Sequence, residues 1–140
     1  MTNWQIALSI IFIWAGFVSA ISFMEAWLKF RAPGVTLPVG LSIGRLIFKA
    51  LNKVEWVFGI IVLLLLYTGE NYELAELTLL FLPVLILLMQ TIWLLPAMNK
   101  RAEQIISGAE VPRSNLHFYY IGAELIKLMS LVMFGVSLFR

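Results

Sequence analysis

Two stretches of this chain, Trp4 to Met24 and Leu77 to Leu95, run for about 20 residues each without one charged side chain, the length a helix needs to cross the ~30 Å hydrocarbon core of a bilayer. Two further apolar runs follow. Trp56 to Tyr67 completes a segment that starts near Gly40, and Leu116 to Phe139 closes the chain. With 61% apolar and 13% charged residues and a mean hydropathy of +0.94, too little polar surface remains to cover a water-soluble fold. A segment in lipid must satisfy its own backbone hydrogen bonds. The expected fold is therefore all-α, an integral membrane four-helix bundle running up-down-up-down as one transmembrane domain, with helices over about 4–30, 40–68, 73–105 and 115–139.

The breaks between these segments carry ordinary turn chemistry. Pro33, Gly34 and Pro38 mark the first connection, three glutamates between Gly69 and Glu76 mark a short acidic second one, and Gly108 and Pro112 mark the third. Pro83 lies inside the third helix, where a kink is expected, and Pro96 stands where that helix leaves the apolar run and continues toward Gln104. Met1 to Gln5 carry no basic side chain, so the first segment reads as a span rather than a signal peptide.

Lys29, Arg31, Arg45, Lys100, Arg101 and Arg113 all flank the first and third connections, and the second has no basic residue. By the positive-inside rule, loops 31–39 and 99–114 are expected to be cytoplasmic and both termini to lie on the other side. The net charge of +2 is thus spent on topology, and nucleic acid is not an expected partner. The absence of cysteine excludes disulfides and thiolate metal sites within the chain. There is also no aspartate, no pair of histidines, no glycine-rich phosphate loop and no nucleophile elbow, which makes an enzyme the less favoured class. No cofactor is indicated. His117, the single histidine, is a weak metal candidate at the start of the fourth helix.

The informative residues are the polar ones inside spans, because an ionisable side chain at mid-bilayer costs at least ~2.5 kcal/mol unless something offsets it. Glu124 and Lys127 lie well inside the fourth helix, Gln90 inside the third, Asn52 and Glu55 inside the second, and Glu25 with Ser22 near the end of the first. At about 1.5 Å of rise per residue these positions reach similar depth, toward the basic-loop side. At about 100° per residue, Arg45, Asn52 and Gly59 share one face of the second helix with Glu55 at its edge, and Glu124 shares a face with His117. A polar layer made of Glu25, Arg45, Asn52, Glu55, Gln90, Glu124 and Lys127 is the candidate site for a small ligand or ion. The same residues would serve as plain structural ion pairs. They would also serve as the seam of an accessory subunit against a larger membrane complex, or of a homodimer. Gly16 with Ala20 and Gly40 with Gly44 have the spacing that lets helices approach closely.

Trp14-Ala15-Gly16, Ser22-Phe23-Met24-Glu25, Lys29-Phe30, Ala32-Pro33, Leu37-Pro38-Val39, Gly44-Arg45 and Leu51-Asn52-Lys53-Val54-Glu55-Trp56 resemble a family of small uncharacterised bacterial four-helix membrane proteins. The resemblance implies a bacterial inner membrane and points to Glu25, Arg45, Asn52 and Glu55. More loosely, Pro96 ending the third helix and His117 opening the fourth are similar to four-helix proteins related to the copper-resistance protein D group, which implies copper or haem-pathway chemistry in some members. This chain departs from that group in having one histidine, and none in its first three helices.

Overall fold

The computed structural model describes residues 2–69 and 72–139. Four long helices carry the fold: α1 (Asn3–Arg31), α2 (Leu37–Tyr67), α3 (Leu74–Ile106) and α4 (Leu116–Ser137), each long and apolar enough to cross a membrane. Local chemistry sets their ends. Thr36 is extended and Pro38 stands in the first turn of α2, where a missing N–H costs nothing. Glu73 caps α3 in a reciprocal box in which the Glu76 carboxylate accepts the Glu73 backbone N–H at 3.0 Å. Glu76 is thus a buried helical residue, while Glu70 of the acidic connection lies outside the described residues. Gly34 and Gly108, at φ +82° and +84°, take the left-handed turns that follow α1 and α3.

The helices pack in a ring, α1 against α2 and α4, and α3 against α2 and α4. The outer surface is apolar: Leu46, Leu64, Ile92 and Phe118 are between 61% and 72% exposed, as suits a lipid-facing surface. Two apolar clusters fill the interior. One packs Ile11, Trp14 and Val18 against Val62, Leu87 and Phe134. The other packs Phe48 and Leu51 against Leu94, Leu95 and Tyr120. The polar residues of the interior come between the two along each helix.

The inward face of α2 runs through Gly44, Phe48, Leu51, Glu55, Gly59 and Val62. Glu55 is therefore at the centre of that face and Arg45 and Asn52 flank it, a shift of one position from the phase expected from the sequence. The reason is the companion of Gly59: a Cβ there would lie 3.5 Å from the Trp14 ring, so the glycine makes room for the indole and turns Glu55 toward it. Gly40 and Gly44 do face neighbours, under Phe30 and Lys29, whereas a Cβ on Gly16 would meet nothing within 4 Å.

Helical continuity is altered at two places. The helix runs unbroken through Pro83, but α1 widens into a π-helical stretch at Ser19–Glu25 and α3 does so at Gln90–Leu94. The second widening directly precedes Pro96, whose ring excludes the carbonyl four residues back. Both put polar side chains inward, Ser22 from the first and Gln90 from the second. Wide turns of this kind frequently accompany functional sites.

Candidate functional site

The centre of the polar interior is Lys127, the largest buried polar side chain, on α4 and 0% exposed. Its ammonium group donates to Glu55 Oε2 at 2.6 Å and to Gln90 Oε1 at 2.7 Å, and lies 2.8 Å from Glu124 Oε1. One residue from each of α2 and α3 and two from α4 thus meet at a single nitrogen, whose three donors are all used. Around this centre the Trp14 indole N–H donates to Glu55 Oε2 at 2.8 Å, Ser22 donates to Glu124 Oε2 at 2.9 Å, and Gln90 Nε2 donates to Glu124 Oε1 at 2.5 Å. The Tyr120 hydroxyl also interacts with Ser22 and Glu124. All four helices contribute, and Glu55, Gln90 and Glu124 are at most 1% exposed.

The remaining predicted positions fall outside this cluster. Asn52 donates to Thr91 Oγ1 at 3.0 Å, and Trp56 Nε1 donates to the same hydroxyl at 2.9 Å, forming a small half-buried bridge between α2 and α3. Glu25 pairs only with Lys29, one turn on, at 3.4 Å. Arg45 pairs with Glu103 of α3 near the surface. The single layer expected from depth and phase is therefore three groups: the sealed cluster of Glu55, Gln90, Glu124 and Lys127, the Asn52–Thr91–Trp56 bridge, and an outer set of Glu25, Lys29, Arg45 and Glu103.

The outer set borders a cavity of about 100 Å³ at the end of the bundle where α1 and α3 finish and α2 and α4 begin. Lys29, Arg45, Asn99 and His117 are its polar lining, among apolar walls that include Phe30 and Phe48. Phe48 packs edge-on against Tyr120, ring centres 5.1 Å apart, and this aromatic pair stands between the cavity and the sealed cluster. His117 sits at the cavity rim beside Phe118. Among the described residues no three His, Cys, Asp or Glu side chains gather as a metal-ligand set.

No protein-family model matches this chain, and no curated protein or solved structure is similar to it. Its chemistry rests on the geometry.

Sequence alone gave no sign of three participants. Trp14 reads as packing, yet its indole is a hydrogen-bond donor to a carboxylate. Thr91 and Tyr120 are lost among apolar neighbours. A buried indole or phenol needs a partner for its polar atom, so the pairing of Trp14 with a buried glutamate on a neighbouring helix was the one available signal. The π-helical stretches that aim Ser22 and Gln90 have no sequence marker beyond Pro96.

Electrostatically the cluster is unbalanced. Two carboxyls face one ammonium, which leaves one negative charge in excess when both are ionised. Trp14 and Lys127 both donate to Oε2 of Glu55, and among the described residues none donates to its Oε1. Glu124, by contrast, receives donors on both oxygens. The open acceptor of the cluster is thus Glu55 Oε1.

Proposed function

We propose that this is a non-enzymatic membrane protein whose bundle core binds a cation, and that the cation is a proton held by Glu55. One observation carries the reading: two carboxyls share one lysine in a site at most 1% exposed. An isolated buried charge is expensive in a low-dielectric interior. A proton restores neutrality without needing coordination space. Glu55 Oε1 is the atom left to take it, because every other carboxylate oxygen of the cluster already accepts hydrogen bonds. Lys127 and Glu124 then form the ionised pair, with Gln90, Ser22 and the Tyr120 hydroxyl around them, and Trp14 orients Glu55. The protein lies across the membrane with the basic connections at 31–39 and 99–114 on the cytoplasmic side, supported by the distribution of lysine and arginine.

The test is infrared difference spectroscopy of the protein in lipid nanodiscs at pH 7. A protonated-carboxyl band that shifts on exchange into deuterated water and disappears in Glu55→Gln supports the proposal. Absence of that band, or its persistence in Glu55→Gln, overturns it. A band that is absent but returns when sodium and potassium are removed would make the occupant a metal cation instead, and would equally end the proton assignment.

A further inference from the structure

The cavity at the basic end is chemically unlike the sealed cluster. It contains three side chains able to carry positive charge, Lys29, Arg45 and His117, and no carboxylate among its lining residues. Its position fixes its surroundings. α4 has 22 residues, about 33 Å of helix, which matches the hydrocarbon thickness, and His117 is in its first turn. The cavity therefore lies at the boundary between hydrocarbon and headgroups.

Lys29 is the unsatisfied group. Its side chain is only 9% exposed, and its sole ionic contact is the 3.4 Å approach to Glu25 Oε2. An ammonium has three donors, so two remain without a protein acceptor. The rings of Phe30 and Phe48, 5.5 and 5.3 Å away, cradle the charge without accepting its hydrogen bonds. Gly44 is what lets it lie there, since a Cβ at that position would come within 2.9 Å of the Lys29 nitrogen. Arg45, on the rim, is tied only to Glu103 in a pair whose side chains are 33% and 61% exposed. Such a surface pair is weak and yields readily to a competing anion. The side wall is open to lipid at Phe30, which is 39% exposed. Volume adds a constraint: about 100 Å³ admits a small oxyanion group but no whole amphiphile.

We propose that the cavity seats the phosphate group of an anionic membrane lipid. Lys29 donates to the phosphate oxygens from the cavity floor, Arg45 turns from Glu103 to the same group, and His117 closes the far side. The acyl chains leave past Phe30 into the bilayer.

The experiment is native mass spectrometry of the full chain in mild detergent, titrated with phosphatidylglycerol, with phosphatidylcholine of the same acyl chains, and with inorganic phosphate. The wild type is expected to retain one phosphatidylglycerol about tenfold more tightly than phosphatidylcholine, an effect of the size that two basic residues near a headgroup provide. Lys29→Gln and Arg45→Gln should each erode that preference, while Lys49→Gln, at an exposed position of α2 outside the cavity, leaves it intact. Arg45 is on the rim, so Arg45→Gln keeps the test valid if Lys29→Gln fails to fold. Equal retention of the two lipids overturns the proposal, as does equal loss in Lys49→Gln, which would mean attraction to surface charge in general. Binding of inorganic phosphate that depends on Lys29, without a preference for phosphatidylglycerol, would make this a site for a soluble oxyanion and would overturn the lipid assignment.

Discussion

Replacing Lys127 by methionine keeps an unbranched side chain of similar volume in the core and deletes its charge. Glu55 and Glu124 then share a site at most 1% exposed with no cation beside them. To remain neutral the variant must take up one proton more than the wild type. At pH 7.5, protonating a carboxyl of ordinary pKa ~4.3 costs about 4.4 kcal/mol, at 1.36 kcal/mol per pH unit. This agrees with the ~3–5 kcal/mol lost when one partner of a buried ion pair is removed. Chains unfolded within a membrane or detergent also find polar partners, which reduces measured differences, so about 2–4 kcal/mol is the expected loss. The folded variant holds more protons than its unfolded state, so its stability falls as pH rises and recovers as pH drops. At pH 5.5 the same protonation costs only about 1.6 kcal/mol, and the gap to wild type should narrow accordingly. Unfolding by sodium dodecyl sulfate from mild micelles, followed by far-UV circular dichroism at both pH values, measures this. Intrinsic fluorescence gives a second probe, because Trp14 donates to Glu55 in the cluster. The triple variant Lys127→Met, Glu55→Gln, Glu124→Gln carries no charge there and should regain most of the loss. A deficit below about 1 kcal/mol at pH 7.5, or one of equal size at both pH values, would refute the reasoning from buried charge.

Glu55→Gln leaves Lys127 and Glu124 as a balanced pair and should cost less than about 1 kcal/mol in the same assay, whereas Glu124→Gln should cost more, because its amide would face the donors of Gln90 and Ser22. Thr91→Val removes the hydroxyl shared by Asn52 and Trp56 and should cost about 0.6–1.7 kcal/mol, the range for hydrogen bonds between membrane helices. Gly59→Ala should be nearly silent, since its Cβ meets Trp14 at 3.5 Å, while Gly59→Leu should lose about 1–3 kcal/mol by overpacking; equal effects would mean that the Trp14 contact is not close. Single cysteines at Thr36 and Ser107 should react with a membrane-impermeant maleimide only in inverted vesicles, and one at Thr2 only in right-side-out vesicles; the opposite pattern would reverse the orientation assigned from basic residues.

Four spans were legible because each is a physical necessity of its own: apolar length and the absence of charge suffice, with no tertiary information. The buried ionic cluster was half legible. Glu55, Gln90, Glu124 and Lys127 were recognisable as polar residues far inside spans, and cost alone requires that such residues meet. Assigning Glu25, Arg45 and Asn52 to the same group failed because depth along a helix is readable from sequence to within a turn, while azimuth is not. The α2 phase was displaced by the fit between Gly59 and Trp14, and two π-helical stretches rotate everything beyond them. An i to i+3 or i+4 count carried across such a stretch arrives on the wrong face.

That displacement also separates two kinds of charge that the sequence presents as one. Along α1, Ser22 belongs to the sealed cluster and Lys29 to the open cavity, and the Ser19–Glu25 stretch lies between their environments. Along α2, the Phe48 ring performs the same division by packing on Tyr120. Inside that partition every donor of Lys127 is used; outside it, Lys29 keeps two donors unmet in a space of about 100 Å³. A lysine whose three donors are filled by two carboxyls and an amide fastens helices and leaves the charge question to its carboxyls. A lysine held by one long contact beside a cavity is poised for an anion that the chain does not supply. The two lysines differ by their acceptors, and that difference directs the core toward a proton and the basic end toward a phosphate.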